Sequence, residues 1–310
     1  VNVLVTGGAG FVGSHVVDRL LRDGHRVAVV DNLSTGRRAH VPAAVPLHVC
    51  DLRSPRLAEV VATAAPDAVV HVAAQAAVSR SVADPVFDAS VNVLGTLVLL
   101  EACRRAGVCR VVYTSTGGAA YGDTHVLPTP EDHPTRASSP YGVSKVAAER
   151  YLEVWAALHG GRVLSLRLAN VYGPRQDPQG EAGVVAIFSH RLLRGEPCVI
   201  YGDGEQTRDY VYVEDVAEAV VRALERPEVT GVLNVGTGVE TSVNELYRRL
   251  ARAAGAARPP VYAPPRPGEQ RRSVLDPSRA KAALGWAAAT PLDEGLARTL
   301  SAFRDGSRRA

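Results

Sequence analysis

Tyr141 and Lys145 stand four residues apart in "SPYGVSK", directly after a Ser-Pro pair that reads as a helix start. On a helix this spacing puts a phenol and an ammonium on one face. A phenol normally ionises near pH 10, and a cation held beside it favours the phenolate and lowers that value. The pair predicts a general base working near neutral pH. A second feature suits a cofactor. "TGGAGFVG" places Gly7, Gly10 and Gly13 between an apolar strand and a helix, and Gly8, Gly10 and Gly13 fit GxGxxG in the same stretch. Glycines there let the backbone turn tightly and approach a pyrophosphate lying at the helix N-terminus. Asp31 ends the next apolar run, where a carboxylate takes the adenosine ribose hydroxyls. It would repel the extra phosphate of NADP and so favours NAD, although Arg37 and Arg38 in "DNLSTGRR" point the other way. Asp51 in "CDL" reads either as an adenine contact or as a helix cap.

The elements that must position these residues alternate along the first half. "VNVLVTG", "HRVAVVDN", "PLHVCDL", "DAVVHVAA", "CRVVYTST" and "RVLSLRLAN" read as buried strands. "VGSHVVDRLLRDG", "RLAEVVATAA", "SVNVLGTLVLLEACRRAG" and the segment from Tyr141 to about His159 read as helices. Continuous apolar strands alternating with helices predict a parallel sheet covered on both faces. The expected class is α/β: a Rossmann-type doubly wound sheet with a smaller C-terminal α/β substrate domain. Residues 1–168 would form the first unit, with about 213–238 returning to it through "VEDVAEAVVRALE" and "GVLNVGTG", and 169–310 the second. "VYGPRQDPQGEAG" and "PPVYAPPRPGEQRR" read as loops.

Composition narrows the partners. The 310 residues carry a formal net charge of +3, with no basic stripe of the kind that binds nucleic acid. No apolar run of membrane-spanning length and no leader-like segment is read from the chain, which predicts a cytoplasmic protein. Cys50, Cys103, Cys109 and Cys198 lack metal-ligand spacing, so reduced structural thiols and no metal site are expected.

Taken together, "TGGAGFVG", "HVAAQAAV", "YTSTGGAAYG", "SPYGVSK", "RLANVYGPRQ", "YGDGEQTRDYVYVEDVAEA" and "RPGE" resemble the extended short-chain dehydrogenase/reductase family along nearly the whole chain. Within it, they most resemble the enzymes that invert C4 of a UDP-hexose such as UDP-glucose or UDP-galactose. The resemblance implies tightly bound NAD and a catalytic Tyr141 partnered by Lys145. It implies a hydroxyl on the sugar oxygen from Thr116 or its neighbour Ser115; one extra residue before the following Tyr-Gly leaves the choice between them open. Cofactor contacts would come from Gly7, Gly10, Phe11, Val12, Gly13, Asp31, Asn32, Asp51, Leu52, the Ala73-Ala74 turn and Asn92, besides Tyr141 and Lys145. Substrate contacts would come from Thr116, Tyr141, Asn170, Val184, Val199, Tyr201, Arg208 and Arg266, with the two arginines on the diphosphate and Tyr201 near the uracil.

The chemistry so implied is removal of the 4-hydroxyl proton by Tyr141 and passage of the C4 hydride to NAD and back to the opposite face, through a transient 4-keto sugar. A 4,6-dehydratase would carry an Asp-Glu pair after the Thr, where Gly117 and Gly118 stand. A uronate enzyme would need a cationic pocket, for which Arg175 and Arg191 are candidates. Ser273 falls where the resemblance places a residue gating the sugar 2-substituent, and its small size leaves room for an N-acetyl group. A non-catalytic NAD-sensing protein of this fold would be expected to lose Tyr141 or Lys145. Apolar residues on more than one helix face, among them Tyr151, Trp155 and Leu158, agree with the homodimer that the family forms.

Overall fold

Six short apolar strands in the first half pair side by side, all parallel: β1 (Asn2–Thr6), β2 (Arg26–Asp31), β3 (Leu47–Val49), β4 (Ala68–His71), β5 (Arg110–Thr116) and β6 (Arg162–Leu168). The computed structural model describes residues 1–179, 183–266 and 270–307; Pro267, Gly268 and Glu269 of the "RPGE" motif lie outside these. A seventh strand, Gly231–Val235, joins the sheet on β6, giving the order Gly231–Val235, β6, β5, β4, β1, β2, β3. The order reverses between β1 and β4. In open α/β sheets the ligand crevice lies at that point, outside the carboxyl ends of the strands. Thr6 and His71, in register at those two ends, mark it.

Strand alternation divides the sheet residues between two cores. Val3, Val5 and Val29 pack with Val16, Val17, Val220 and Trp286 on one face. Leu4, Ala28 and Val30 pack with Leu57, Leu99, Leu152 and Trp155 on the other. Both faces are covered by helices, as a parallel sheet requires. A third core, with Tyr172, Phe188, Ile200, Tyr212, Leu246 and Leu300, belongs to the C-terminal half.

The helix Pro140–His159 has local reasons for its ends. The Ser139 hydroxyl accepts the Gly142 N–H at 3.2 Å, Pro140 opens the first turn, and Gly160 closes the helix in the left-handed region. It packs against the helical run Pro85–Arg105, in which Ser90–Leu94 form a widened π-type turn.

Two sequence expectations change here. By length and hydropathy alone Pro85–Arg105 is long and apolar enough to cross a membrane, contrary to the reading that no such run exists. It carries buried polar groups at Asp88, Asn92 and Thr96, all bonded inside the protein, as befits a core helix. The Pro-rich segment read as loop contains the strand Val261–Ala263, paired in parallel with Val199–Tyr201. The prolines on both sides made it read as loop.

Candidate active site

The glycine loop is built for close approach. Its first glycine, Gly7, has φ +70°, and a Cβ there would meet the Ala73 backbone at 2.7 Å; a Cβ on Gly13 would strike the Gly7 carbonyl. Phe11 and Val12 open the 12-residue helix Phe11–Arg22 directly behind the loop, with Gly10 as its cap. Asp31 is buried, accepting the Ala9 N–H at 3.0 Å and the Leu33 N–H at 2.8 Å. A loop without side chains, a helix start and a strand-end carboxylate fit the pyrophosphate and adenosine ribose of a dinucleotide. Arg37 faces Asp177 at 3.9 Å.

At the edge of this crevice Asp51 is shared between Arg53, at 2.8 Å through both nitrogens, and Asn32 at 3.0 Å. The Arg53 hydrogen bonds hold its carboxyl well below the usual carboxylate range. Leu52 beside it is buried in the core. Asp51 also accepts the Arg53 N–H at 2.9 Å, so it shapes the turn itself.

Beneath the loop a histidine ties three elements together. Thr96 donates its hydroxyl to the Asn92 carbonyl at 2.6 Å, so it accepts from His71 Nε2, at 3.0 Å. Nδ1 then accepts from the Thr6 hydroxyl at 2.7 Å. Burial and the nearby Lys145 charge push this imidazole down to about 3, so it is neutral. Asn92 is fully engaged. Its side-chain Oδ1 accepts the Gln75 N–H at 2.8 Å, and its Nδ2 donates to the Gln75 carbonyl at 2.9 Å, Ser144 at 3.0 Å and Asp88 at 3.2 Å. It holds the turn from Ala73 and Ala74 to Gln75 against the helix that carries Tyr141.

Thr116, at the end of β5, faces the Tyr141 phenol, and its hydroxyl favours the charged form. Ser115 points to the other face of the strand, where its hydroxyl is buried without a hydrogen-bond partner. Of the two hydroxyls, Thr116 is the one on the phenol's side of β5. The titration of that phenol runs opposite to the sequence expectation. Burial pushes Tyr141 up to about 12, the Thr116 hydroxyl opposes this, and the Asp88 charge adds to it. Lys145 is itself buried and pushed down to about 7, with Glu149 and then Asp88 resisting. Its ammonium lies 4.2 Å from the centre of the Tyr113 ring. The reason is that desolvation outweighs the Thr116 hydroxyl at Tyr141 and the two carboxylates at Lys145.

The extra glycine after Thr116 has a structural cause. A side chain on Gly117 would strike Leu275, and one on Gly118 would meet the Ser273 hydroxyl at 3.0 Å. The two glycines let the C-terminal segment close over the end of β5.

On the C-terminal side Arg266 lies 4.1 Å from the centre of the Tyr201 ring, which brings two expected substrate residues together. Arg208 sits on the strand Thr207–Arg208, paired with Thr241–Ser242, and donates to the Thr207 carbonyl at 2.7 Å. Asn170, Val184 and Val199 lie on three separate elements: the strand Asn170–Tyr172, the helix Val184–Leu193 and the strand Val199–Tyr201. Asn170 is exposed; the two valines are half-buried.

Sequence reasoning missed two anchors. Asp209, next to Arg208, is buried and accepts from Thr237 N–H at 2.9 Å, Thr237 hydroxyl at 2.6 Å, Gly238 at 3.2 Å and Leu275 at 3.4 Å. It ties the arginine's strand to the segment packed on Gly117. Glu149 and Arg167 form a buried pair at 2.7 Å, continued by Arg167 to Tyr121 at 2.9 Å and Tyr121 to Asn234 at 2.9 Å. A Glu one turn after Lys145 and an Arg inside an apolar strand were the available signals.

Residues 3–236 match the NAD dependent epimerase/dehydratase family. The chain belongs to this family. Among its relatives in the epimerase/dehydratase family is the UDP-glucose 4-epimerase of Mycolicibacterium smegmatis, 49% identical over 98% of this chain and 99% of the relative. The UDP-glucose 4-epimerase of Thermotoga maritima, solved with UDP-glucose, superposes with a TM-score of 0.96 at 47% identity, covering 99% of this chain and 100% of that one. The Thermus thermophilus UDP-glucose 4-epimerase, solved with NAD, gives a TM-score of 0.93 at 50% identity over 97% of this chain and 98% of that one. Family membership agrees with the kinship implied by the sequence motifs.

Proposed function

We propose that the protein is an NAD-dependent epimerase acting at C4 of a UDP-hexose and interconverting UDP-glucose and UDP-galactose. The observation that carries this is Thr116 facing Tyr141 at the carboxyl end of β5, in a chain 49% identical over nearly its full length to a UDP-glucose 4-epimerase. Gly7, Gly10, Gly13 and Asp31 hold the dinucleotide, with Phe11, Val12, Asn32, Asp51, Leu52, Ala73, Ala74 and Asn92 around them. When bound, NAD supplies the acceptor that takes the C4 hydride and returns it.

The chain's own residues handle the proton and the grip. Thr116 orients the sugar 4-hydroxyl, and Tyr141 Oη takes its proton and gives it back. Lys145, as a cation, favours the charged form of the phenol. Arg208 and Arg266 hold the diphosphate with their guanidinium forks, and Tyr201 packs near the uracil. A firm grip on the diphosphate leaves the hexose free to present either face. Asn170, Val184 and Val199 line the remaining wall. Against a uronate substrate, Arg175 is tied to Asp18 at 2.7 Å and Arg191 to the Pro197 carbonyl at 2.8 Å. No acidic pair follows Thr116, which argues against a dehydratase.

The working unit in this reading is a homodimer in the cytoplasm. Exposed Val86, Leu94, Val143, Tyr151, Val154 and Leu158 lie on the two adjacent runs Pro85–Arg105 and Pro140–His159, while Trp155 faces the protein's own core. Such an apolar face needs a partner. Sedimentation as a monomer at micromolar concentration would remove it.

The function is tested by incubating the protein with UDP-glucose and following the sugar by proton NMR. UDP-galactose is the expected product. A 4-keto-6-deoxy sugar, or no turnover with NAD present, contradicts the reading.

A further inference from the structure

We propose that Asp88 is a positioning residue whose carboxylate is the counter-charge that keeps Lys145 cationic beside Tyr141. This rests on the roles given above to Tyr141 and Lys145. Buried charges are tolerated when paired, so the charges around Lys145 can be matched one against another. Among the described residues, five charged side chains are buried on this side of the sheet: Lys145, Glu149, Arg167, Asp88 and Glu131, the last facing Arg279 at 3.5 Å. Glu149 faces Lys145 from one turn along the same helix, but it is already occupied by Arg167, through Nε at 3.1 Å and Nη2 at 2.7 Å. Glu149 therefore shares its charge between Arg167 and Lys145, and Asp88 is the carboxylate near Lys145 with no cation of its own.

Asp88 is placed for this. It is 1% exposed. Its Oδ1 accepts neutral amide donors from Gln75 at 2.8 Å and Asn92 at 3.2 Å. Its Oδ2 is buried with no hydrogen bond at all. Two amides do not neutralise a carboxylate. The same Asn92 amide bonds Ser144, the residue before Lys145, at 3.0 Å, so the Asp88 turn is fastened to the turn that carries the ammonium.

Besides Glu149 and Asp88, the groups around Lys145 supply no negative charge. Tyr113 on β5 offers its ring face, and its buried hydroxyl has no partner. His71 on β4 is neutral. Tyr141 shares the helix, and Tyr121 is bonded to Arg167. Arg80, on the helix Val78–Ala83, is exposed over the Phe87 ring at 4.1 Å. Glu101, Arg104 and Arg105 pair with one another at the surface. The charge of Asp88 raises the proton affinity of Lys145 and of Tyr141 alike. Removing it therefore shifts both to lower pH, which loss of a merely structural contact would not do.

The chain has only two lysines, Lys145 and the exposed Lys281, so protein labelled with lysine ¹³Cε gives two NMR signals, and Lys281→Arg assigns them. In Asp88→Asn, which keeps the Oδ1 acceptor, the Lys145 midpoint is expected to fall by about one pH unit or more. Both limbs of the pH–rate profile for UDP-glucose should move the same way. Asp84→Asn, an exposed charge four residues earlier, should move neither. A Lys145 midpoint unchanged in Asp88→Asn overturns the proposal. If Asp88→Asn does not fold, the wild-type Asp88 carboxyl ¹³C shift must follow the Lys145 titration, and a flat Asp88 signal overturns it equally. A shifted lysine in a protein that never turns over UDP-glucose supports the pairing and sinks the functional reading instead.

Discussion

The Thr116 hydroxyl at the end of β5 faces the Tyr141 phenol in the first turn of the helix Pro140–His159 and favours its charged form. Ser115, one residue earlier, has its hydroxyl buried and unbonded on the opposite face. Adjacent residues of the same chemistry thus have different consequences. Thr116→Val should lower kcat by about 10- to 100-fold, the worth of a hydrogen bond to a charged group. Ser115→Ala should leave kcat nearly unchanged and stability unchanged or raised by about 1 kcal/mol, because an unpaired buried hydroxyl is removed. Steady-state rates and thermal unfolding of the two variants separate them.

Tyr141→Phe removes the proton acceptor while keeping the ring. A general base contributes about 10²- to 10⁴-fold, and that is the expected loss in kcat. The unfolding temperature should move little. A Phe variant retaining more than about a tenth of wild-type turnover would be incompatible with Tyr141 as the base.

Gly117 and Gly118 make room for Leu275 and Ser273. Gly117→Ala should cost about 1–3 kcal/mol in stability through overpacking, read by urea unfolding. Ser273 is buried at that contact, and a small residue there leaves space. Wild-type protein should turn over UDP-N-acetylglucosamine, and Ser273→Tyr should depress that activity more than turnover of UDP-glucose. Equal losses on the two sugars would argue that Ser273 has no part in choosing between them.

The neutral, buried His71 makes stability pH-dependent on the acid side. Its folded value of about 3 lies below the ordinary 6.5. Between these values the unfolded chain binds the proton and the folded chain does not, so stability is full above pH 6.5 and is lost as pH falls toward 3. The slope should be about 1.4 kcal/mol per pH unit from this group. His71→Gln, which offers the same donor and acceptor to Thr96 and Thr6, should flatten it in chemical denaturation at several pH values.

Much of this was legible in the sequence for physical reasons. Glycines before a helix and an Asp at a strand end are local demands, so "TGGAGFVG" and Asp31 pointed to the crevice without a structure. The choice between Ser115 and Thr116 was not legible, because it depends on which face of β5 meets the helix Pro140–His159. The raised phenol of Tyr141 was not legible either. Spacing showed the cation but not the burial that opposes it. Asp209, Glu149 and Arg167 act by long-range burial and pairing, which leave only an out-of-place charge in the chain. The strand Val261–Ala263 was hidden because prolines flank it and its partner, Val199–Tyr201, lies far earlier in the chain.

The central claim is that the hydrogen at C4 leaves and returns within one site while Tyr141 holds the proton. The direct test is UDP-glucose carrying deuterium at C4, turned over in ordinary water and read by NMR. The account predicts UDP-galactose that keeps its deuterium at C4. Product with deuterium lost to solvent, or no UDP-galactose at all, would contradict it.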